Sequence, residues 1–149
     1  MKRKAWFIAG ILMIVLCGIC GSEVCAYPMT IQTIVRVVDG DTVVVNLADV
    51  PDIFGMNLSI RLPGIDTPEL SDKDVCVRGM AFKAKQQLTS FLANGTVIQL
   101  GEARRDKYFR LDADIFIDGI SATQLMLATG LARTYTGGTR LPWTCVNIE

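Results

Sequence analysis

Two short segments hold most of the reactive side chains in this sequence: Asp39-Gly40-Asp41-Thr42, and Arg61-Leu62-Pro63-Gly64-Ile65-Asp66-Thr67-Pro68-Glu69. Brought together, they would set the carboxylates of Asp41, Asp66 and Glu69 beside the guanidinium of Arg61. A third segment, Arg105-Asp106-Lys107-Tyr108-Phe109-Arg110, adds another arginine. Such a set suits the cleavage of a phosphodiester. A hard cation held by carboxylates neutralises a phosphate oxygen and brings water close. A carboxylate that is not itself a strong ligand can orient or deprotonate that water. Planar guanidinium groups match the charge that builds on the non-bridging oxygens. The chain has no histidine, so this chemistry would run on carboxylate, arginine and metal.

Each segment alone has a plainer explanation. Asp39-Gly40 reads first as a hairpin turn. Asp66-Thr67-Pro68-Glu69 reads as a helix start with an acid in its first turn, and residues 105–110 as a solvated turn. Turn formation does not account for Arg61, which stands in an apolar strand and needs an anionic partner or ligand there. Taken jointly, the three segments favour a site.

The elements that must position these residues begin after residue 26. Residues 1–26 read as an export signal. Lys2-Arg3-Lys4 forms a positive start, residues 5–21 form an uncharged apolar run, and Val24-Cys25-Ala26 supplies small residues for cleavage after Ala26. An uncleaved membrane anchor is the alternative, the run being slightly short of a spanning helix. The expected location is therefore secreted or periplasmic, or membrane-anchored if the signal stays. Residues 27–149 form one small domain. Without Lys2, Arg3, Lys4 and Glu23 it carries 12 basic and 14 acidic residues, a net charge of −2. That balance disfavours a domain living on non-specific electrostatic binding to nucleic acid, but leaves room for an enzyme with local positive charge. Cys76 and Cys145 remain, and an even count in an oxidising compartment favours a disulfide. Two cysteines without histidine make no ordinary zinc site.

Two β-branched runs flank Asp39-Gly40, at 31–38 and 42–47, and read as a hairpin. Residues 49–57 form a loop and 58–62 a third strand ended by Pro63-Gly64. Thr67 and Pro68 can open a short helical turn. A longer helix spans about 75–92, with Met80, Ala81, Phe82, Ala84, Leu88 and Phe91 on its apolar face. Strands follow at 96–100 and 112–117, then a short helix at 122–129 stopped by Gly130. The expected fold is mainly β with helices (α+β). Its five strands form a small closed barrel, with a long helix between strands three and four and a short helix near the C-terminus.

At these residues the chain resembles the thermonuclease family, staphylococcal-nuclease-like proteins built on an oligonucleotide-binding (OB) barrel. The resemblance rests on Val38-Asp39-Gly40-Asp41-Thr42-Val43, on Ile60-Arg61-Leu62 with Gly64-Ile65-Asp66-Thr67-Pro68-Glu69, on Asp106-Lys107-Tyr108 with Arg110, and on Gly130-Leu131-Ala132-Arg133. The Tyr135, Gly137-Gly138, Trp143 and Cys145 ending is similar to bacterial exported members. The resemblance implies a calcium-dependent nuclease that cuts DNA and RNA to leave 3′-phosphate ends. By matched position it implies Asp41, Asp66 and the Thr67 carbonyl as Ca²⁺ ligands, with Asp39 just outside them, and Arg61, Glu69 and Arg110 as catalytic groups. It further implies Lys107 and Tyr108 on a terminal phosphate, and Tyr135 beside a base or sugar. Phe109 stands where the family usually has glycine, and Asp112 where it is usually apolar. Asp112 is expected to face outward or to sit at a bulge.

A different class of function remains open at this level: a catalytically silent OB module that binds single strands or a protein partner. Such a module should have lost Arg61, Glu69 or Arg110, and should show exposed aromatics for base stacking. This chain keeps all three residues and offers few aromatics on its strands. A monomer is expected.

Overall fold

The computed structural model describes residues 29–106 and 110–145. The expected export segment, together with Lys107, Tyr108 and Phe109, lies outside the described residues. The β-branched runs around Asp39-Gly40 pair as an antiparallel hairpin, β1 (Met29–Val37) with β2 (Thr42–Leu47). β1 carries two register irregularities, between Ile31 and Thr33 and between Ile34 and Arg36, which bend it in the way bulges do. The loop after β2 contains one helical turn, α1 (Asp52–Gly55), before β3 (Leu58–Arg61) lies antiparallel to β2. Thr42 stands opposite Arg61 in that pairing, so the hairpin turn and the arginine share one end of the sheet.

Pro63-Gly64 then turns the chain, with Gly64 at φ 74°, the conformation a proline–glycine turn places on its glycine. The chain returns as β4 (Ile65–Asp66). Thr67 and Pro68 do not open a helical turn as expected. Residues 67–71 form no helix: the Thr67 hydroxyl donates to Asp41 Oδ2 at 3.0 Å, and the chain makes a single turn closed by the Asp72 amide on the Glu69 carbonyl. Helix α2 (Val75–Asn94) begins later, where the Asp74 side chain accepts from the Cys76 amide, a standard N-cap. Its buried residues are Val77, Ala81, Ala84, Leu88 and Leu92, spaced three and four apart along one stripe. Phe82, assigned to that face from the sequence, points outward.

The remaining elements are β5 (Ile98–Leu100), β6 (Arg104–Arg105), β7 (Leu111–Asp112), β8 (Ile115–Ile117), β9 (Ile120–Ser121), α3 (Ala122–Ala128) and β10 (Arg133–Thr134). The single strand expected over 112–117 is broken at Ala113-Asp114. β7 runs parallel to β3, and β8 runs antiparallel to β5, which itself pairs with β1. One interrupted strand thus bridges the two edges of the sheet, and a five-stranded OB barrel closes through it. Asp114 holds the break: its carboxylate accepts from the Ile115 and Thr123 amides and from the Ser121 and Thr123 hydroxyls. Val43, Val45, Ile60, Leu88, Leu100, Ile115 and Met126 are fully buried at the centre, where barrel, α2 and α3 meet.

After α3 the chain crosses back over the barrel. β10 pairs with β4, setting Arg133 opposite Asp66, and the Cys76–Cys145 disulfide fastens the far end to the start of α2. No helix among the described residues is long and apolar enough to cross a membrane.

Candidate active site

The turn between β1 and β2 sets Asp41 against both other segments. Gly40 is essential to that approach: a Cβ there would lie 2.7 Å from the Ala84 Cβ and 3.0 Å from the Thr67 Cβ. Without a side chain at 40, the turn packs directly on α2 and on Thr67. Asp41 is buried and accepts from the hydroxyls of Thr42 and Thr67, both at 3.0 Å. It also forms a close ion pair with Arg61 Nη1. Arg61, likewise buried, donates from Nη2 to the Ile65 carbonyl at 2.9 Å, across the Pro63-Gly64 turn. Its Nη1 is buried against Asp41.

Asp66 is held from the opposite side. Its Oδ2 accepts from Arg133 Nε at 3.1 Å, Arg133 Nη2 at 2.8 Å and Trp143 Nε1 at 3.0 Å. Its Oδ1 meets Arg140 Nε at 3.3 Å. Arg133 also donates to the carbonyls of Leu141 and Pro142 and lies 4.4 Å from the Trp143 ring centre. Glu69, half exposed, pairs with Arg140 Nη1 at 2.5 Å. Arg110 donates from Nε to Asp106 Oδ2 at 2.8 Å, and the Arg110 amide donates to Asp106 Oδ1.

Arg61, Glu69, Asp106, Arg110, Tyr135 and Arg140 line a cavity of about 970 Å³, whereas Asp41, Asp66 and Thr67 lie behind that lining. Asp112 also lines it, half-buried at the wall, so it points neither into the core nor cleanly outward. Tyr135 is fixed by its amide on the Gly64 carbonyl and by its hydroxyl on the Gly138 carbonyl. Asp39 accepts from the Asp41 amide at 3.1 Å beside this cluster. Lys107 and Tyr108 fall outside the described residues.

The electrostatics follow from this packing. Burial pushes the Asp39 carboxyl above its ordinary value, against hydrogen bonds from Thr42 and the pull of Arg61 and Arg110. Burial also lowers the Arg61 guanidinium, and the positive charges of Arg140 and Arg110 lower it further. Arg140 goes the other way: burial opposes its charge, but the Glu69 hydrogen bond and the charges of Asp66 and Glu69 outweigh that and raise its pKa. Three guanidinium groups thus feel one another around one cavity, a setting suited to an anion.

For a hard divalent cation, the relevant donors are oxygens. Asp41 and Asp66 are 6% and 2% exposed, and the Asp41–Thr67 hydrogen bond joins their two segments. Asp66 Oδ2 accepts from three donors, whereas among the described residues Oδ1 has only the long Arg140 contact. No cluster of three or more acidic, histidine or cysteine side chains occurs among the described residues. A site would therefore be two carboxylates completed by a carbonyl and water, which fits a flexible, weak oxygen-ligand cation.

Sequence reasoning placed Arg133 only within a motif and missed Arg140 and Trp143 as part of the site. A signal existed. The segment 135–145 lies between the Gly130 motif and Cys145, so a Cys76–Cys145 bridge forces an arginine and a tryptophan in that tail across the barrel.

Comparison with known proteins agrees with this geometry. The family described as "Staphylococcal nuclease homologue" matches residues 59–141. That span starts in β3 and ends within the crossing tail, so the Asp39–Thr42 turn joins the site by geometry and not by the match. The SPbeta prophage-derived endonuclease YokF of Bacillus subtilis (strain 168) is 37% identical over 105 residues, covering 68% of this chain and 33% of that protein. Endonuclease YncB of the same organism is 36% identical over 106 residues, covering 68% of this chain and 46% of its own length. A protein of Methanocaldococcus jannaschii without a named activity is 32% identical over 139 residues, covering 78% of this chain and 64% of its own length. The chain thus spans less than half the length of the two Bacillus relatives it matches. With the barrel, the site and the match over residues 59–141 in agreement, the chain belongs to the staphylococcal nuclease homologue family.

Proposed function

We propose that this protein is an exported, calcium-dependent nuclease that hydrolyses phosphodiester bonds of DNA and RNA, leaving 3′-phosphate ends. The observation that carries the reading is the lining of one cavity by Arg61, Glu69 and Arg110, with Asp41 paired to Arg61 and Asp66 paired to Arg140. Nucleic acid as substrate is what the nuclease family implies.

Asp41, Asp66 and the Thr67 carbonyl would hold Ca²⁺, with Asp39 supporting Asp41 through its amide. When bound, the cation supplies charge neutralisation at a phosphate oxygen and draws a water near it. Glu69, half exposed at the cavity wall, orients the attacking water and takes its proton. Arg61 and Arg110 receive the charge that develops on the non-bridging oxygens. Arg61 is suited to this because it lines the cavity while its fork is held in place by the Ile65 carbonyl and Asp41. Tyr135 would lie against a base or sugar, and Lys107 and Tyr108 against a terminal phosphate. The −2 charge of residues 27–149 fits an enzyme that gathers positive charge at one cavity. Residues 1–26 would direct export, and the enzyme would act as a monomer.

The test is cleavage of single-stranded DNA and of RNA by the purified protein, with Ca²⁺ and with a chelator, followed by analysis of the new ends. Calcium-dependent cleavage leaving 3′-phosphates is expected. A folded, disulfide-intact protein that binds the strand and never cuts it would make the silent OB module the correct account.

A further inference from the structure

The arginine that pairs with Glu69 comes from outside the three sequence segments that define the site. Arg140 sits on the crossing tail between two anchors. On one side, β10 pairs with β4 and Tyr135 is bonded to Gly64. On the other, Trp143 donates to Asp66, and Cys145 is bonded to Cys76. The intervening turn uses Gly137 and Gly138, both at positive φ, 99° and 91°. Their left-handed backbone is open to glycine and strained for most other residues. It brings Arg140 back over the Tyr135 ring, 5.8 Å from its centre, and into the cavity wall beside Arg61, Glu69 and Arg110.

Stability alone is a poor explanation for that placement. The side chains of Arg140 and Glu69 are 43% and 50% exposed, a setting in which an ion pair contributes little, and the second contact, to the buried Asp66, is longer at 3.3 Å. Arg140 is a third guanidinium on the cavity wall with Arg61 and Arg110, a grouping that favours a bound phosphate. The cavity, about 970 Å³, is at the top of the range for small-ligand sites and larger than a single phosphate requires.

We infer that Arg140 is a substrate-binding residue, whose guanidinium exchanges Glu69 for a backbone phosphate of the bound strand next to the one being cut. Arg140 therefore masks Glu69 in the free protein and releases it when a strand is seated. Arginine suits the exchange, because its fork meets carboxylate and phosphate oxygens in the same planar geometry. The inference rests on the nuclease reading for the identity of the anion, a nucleic-acid strand.

The experiment measures binding of a fluorescently labelled single-stranded oligonucleotide to the purified, disulfide-intact protein in chelator, over a range of salt, for wild type, Arg140→Ala and Arg140→Lys. Calcium-dependent cleavage of the same oligonucleotide and thermal midpoints are recorded in parallel. Arg140→Ala is expected to weaken binding about tenfold, the size of one lost charge-assisted contact. Its plot of log affinity against log salt should be shallower by about 0.7, one phosphate contact on a single strand. Arg140→Lys should keep the wild-type slope while losing part of the affinity. Arg140→Ala with wild-type affinity and slope would overturn the inference, as would a loss that follows only a fallen thermal midpoint and is shared by Arg140→Lys. If wild type cuts and Arg140→Ala binds and cuts equally well, the inference fails and the nuclease reading stands. If wild type binds but never cuts while Arg140→Ala lowers the slope, the phosphate contact stands and the nuclease reading fails.

Discussion

Arg61 is tied twice, to Asp41 through Nη1 and to the Ile65 carbonyl through Nη2, and both ties are inside the protein. Its side chain and that of Asp41 are 9% and 8% exposed. Removing one partner of a buried pair leaves the other charge uncompensated, which costs about 3–5 kcal/mol. Arg61→Leu is therefore expected to lower unfolding free energy by about 3 kcal/mol in urea titrations without metal, before any effect on catalysis. Asp41→Asn combined with Arg61→Leu should recover part of that loss, since no buried charge then remains. An unchanged urea midpoint in Arg61→Leu would show that the pair is solvated and not the buried contact described here. Arg61 was also the residue most legible in the sequence, because an arginine in an apolar strand demanded a partner. The identity of that partner was partly legible too, in the Asp39–Thr42 turn.

At the scale of elements, the hairpin turn and helix α2 are coupled through Gly40. The added Cβ of Gly40→Ala would meet Ala84 at 2.7 Å, and Ala84 is a buried helix residue with no flexible side chain to yield. Overpacking of this kind costs about 1–3 kcal/mol. The variant should melt earlier, and Asp41 should move relative to Thr67. A thermal midpoint at or above wild type would contradict the tight approach. The hairpin itself was readable, because β-branched residues flank an aspartate–glycine step, and α2 because its buried residues recur at helical spacing. The break at Asp114 was not. It depends on Ser121 and Thr123, seven and nine residues further on, whereas the local run from Asp112 to Ile117 reads as a continuous strand. The helical turn expected after Thr67 also gave way to a distant contact: Asp41, 26 residues earlier, accepts from the Thr67 hydroxyl and holds that segment against the hairpin turn.

Across the whole molecule, the tail beyond β10 ties the site to the disulfide. Arg133, Arg140 and Trp143 reach Asp66 and Glu69 from 67 to 77 residues away in sequence, which is why local motifs did not reveal them. Closing a loop of this length, with a separation of 69 residues, contributes roughly 4 kcal/mol in the chain-entropy model. Cys145→Ser should lose about that much stability. Where it remains folded, it should bind a single strand with an affinity between those of wild type and Arg140→Ala, because Arg140 loses one of its two outer anchors and keeps Trp143 on Asp66. Stability lost with strand affinity kept would detach the tail from the site. The most direct measurement of the central claim is single-turnover cleavage of single-stranded DNA in Ca²⁺ by wild type and Glu69→Gln, with strand affinity measured in chelator on the same preparations. Loss of a positioned general base costs about 10²–10⁴ in rate. The account predicts a fall of that order with binding retained within a few-fold. Equal cleavage by the two proteins would contradict it.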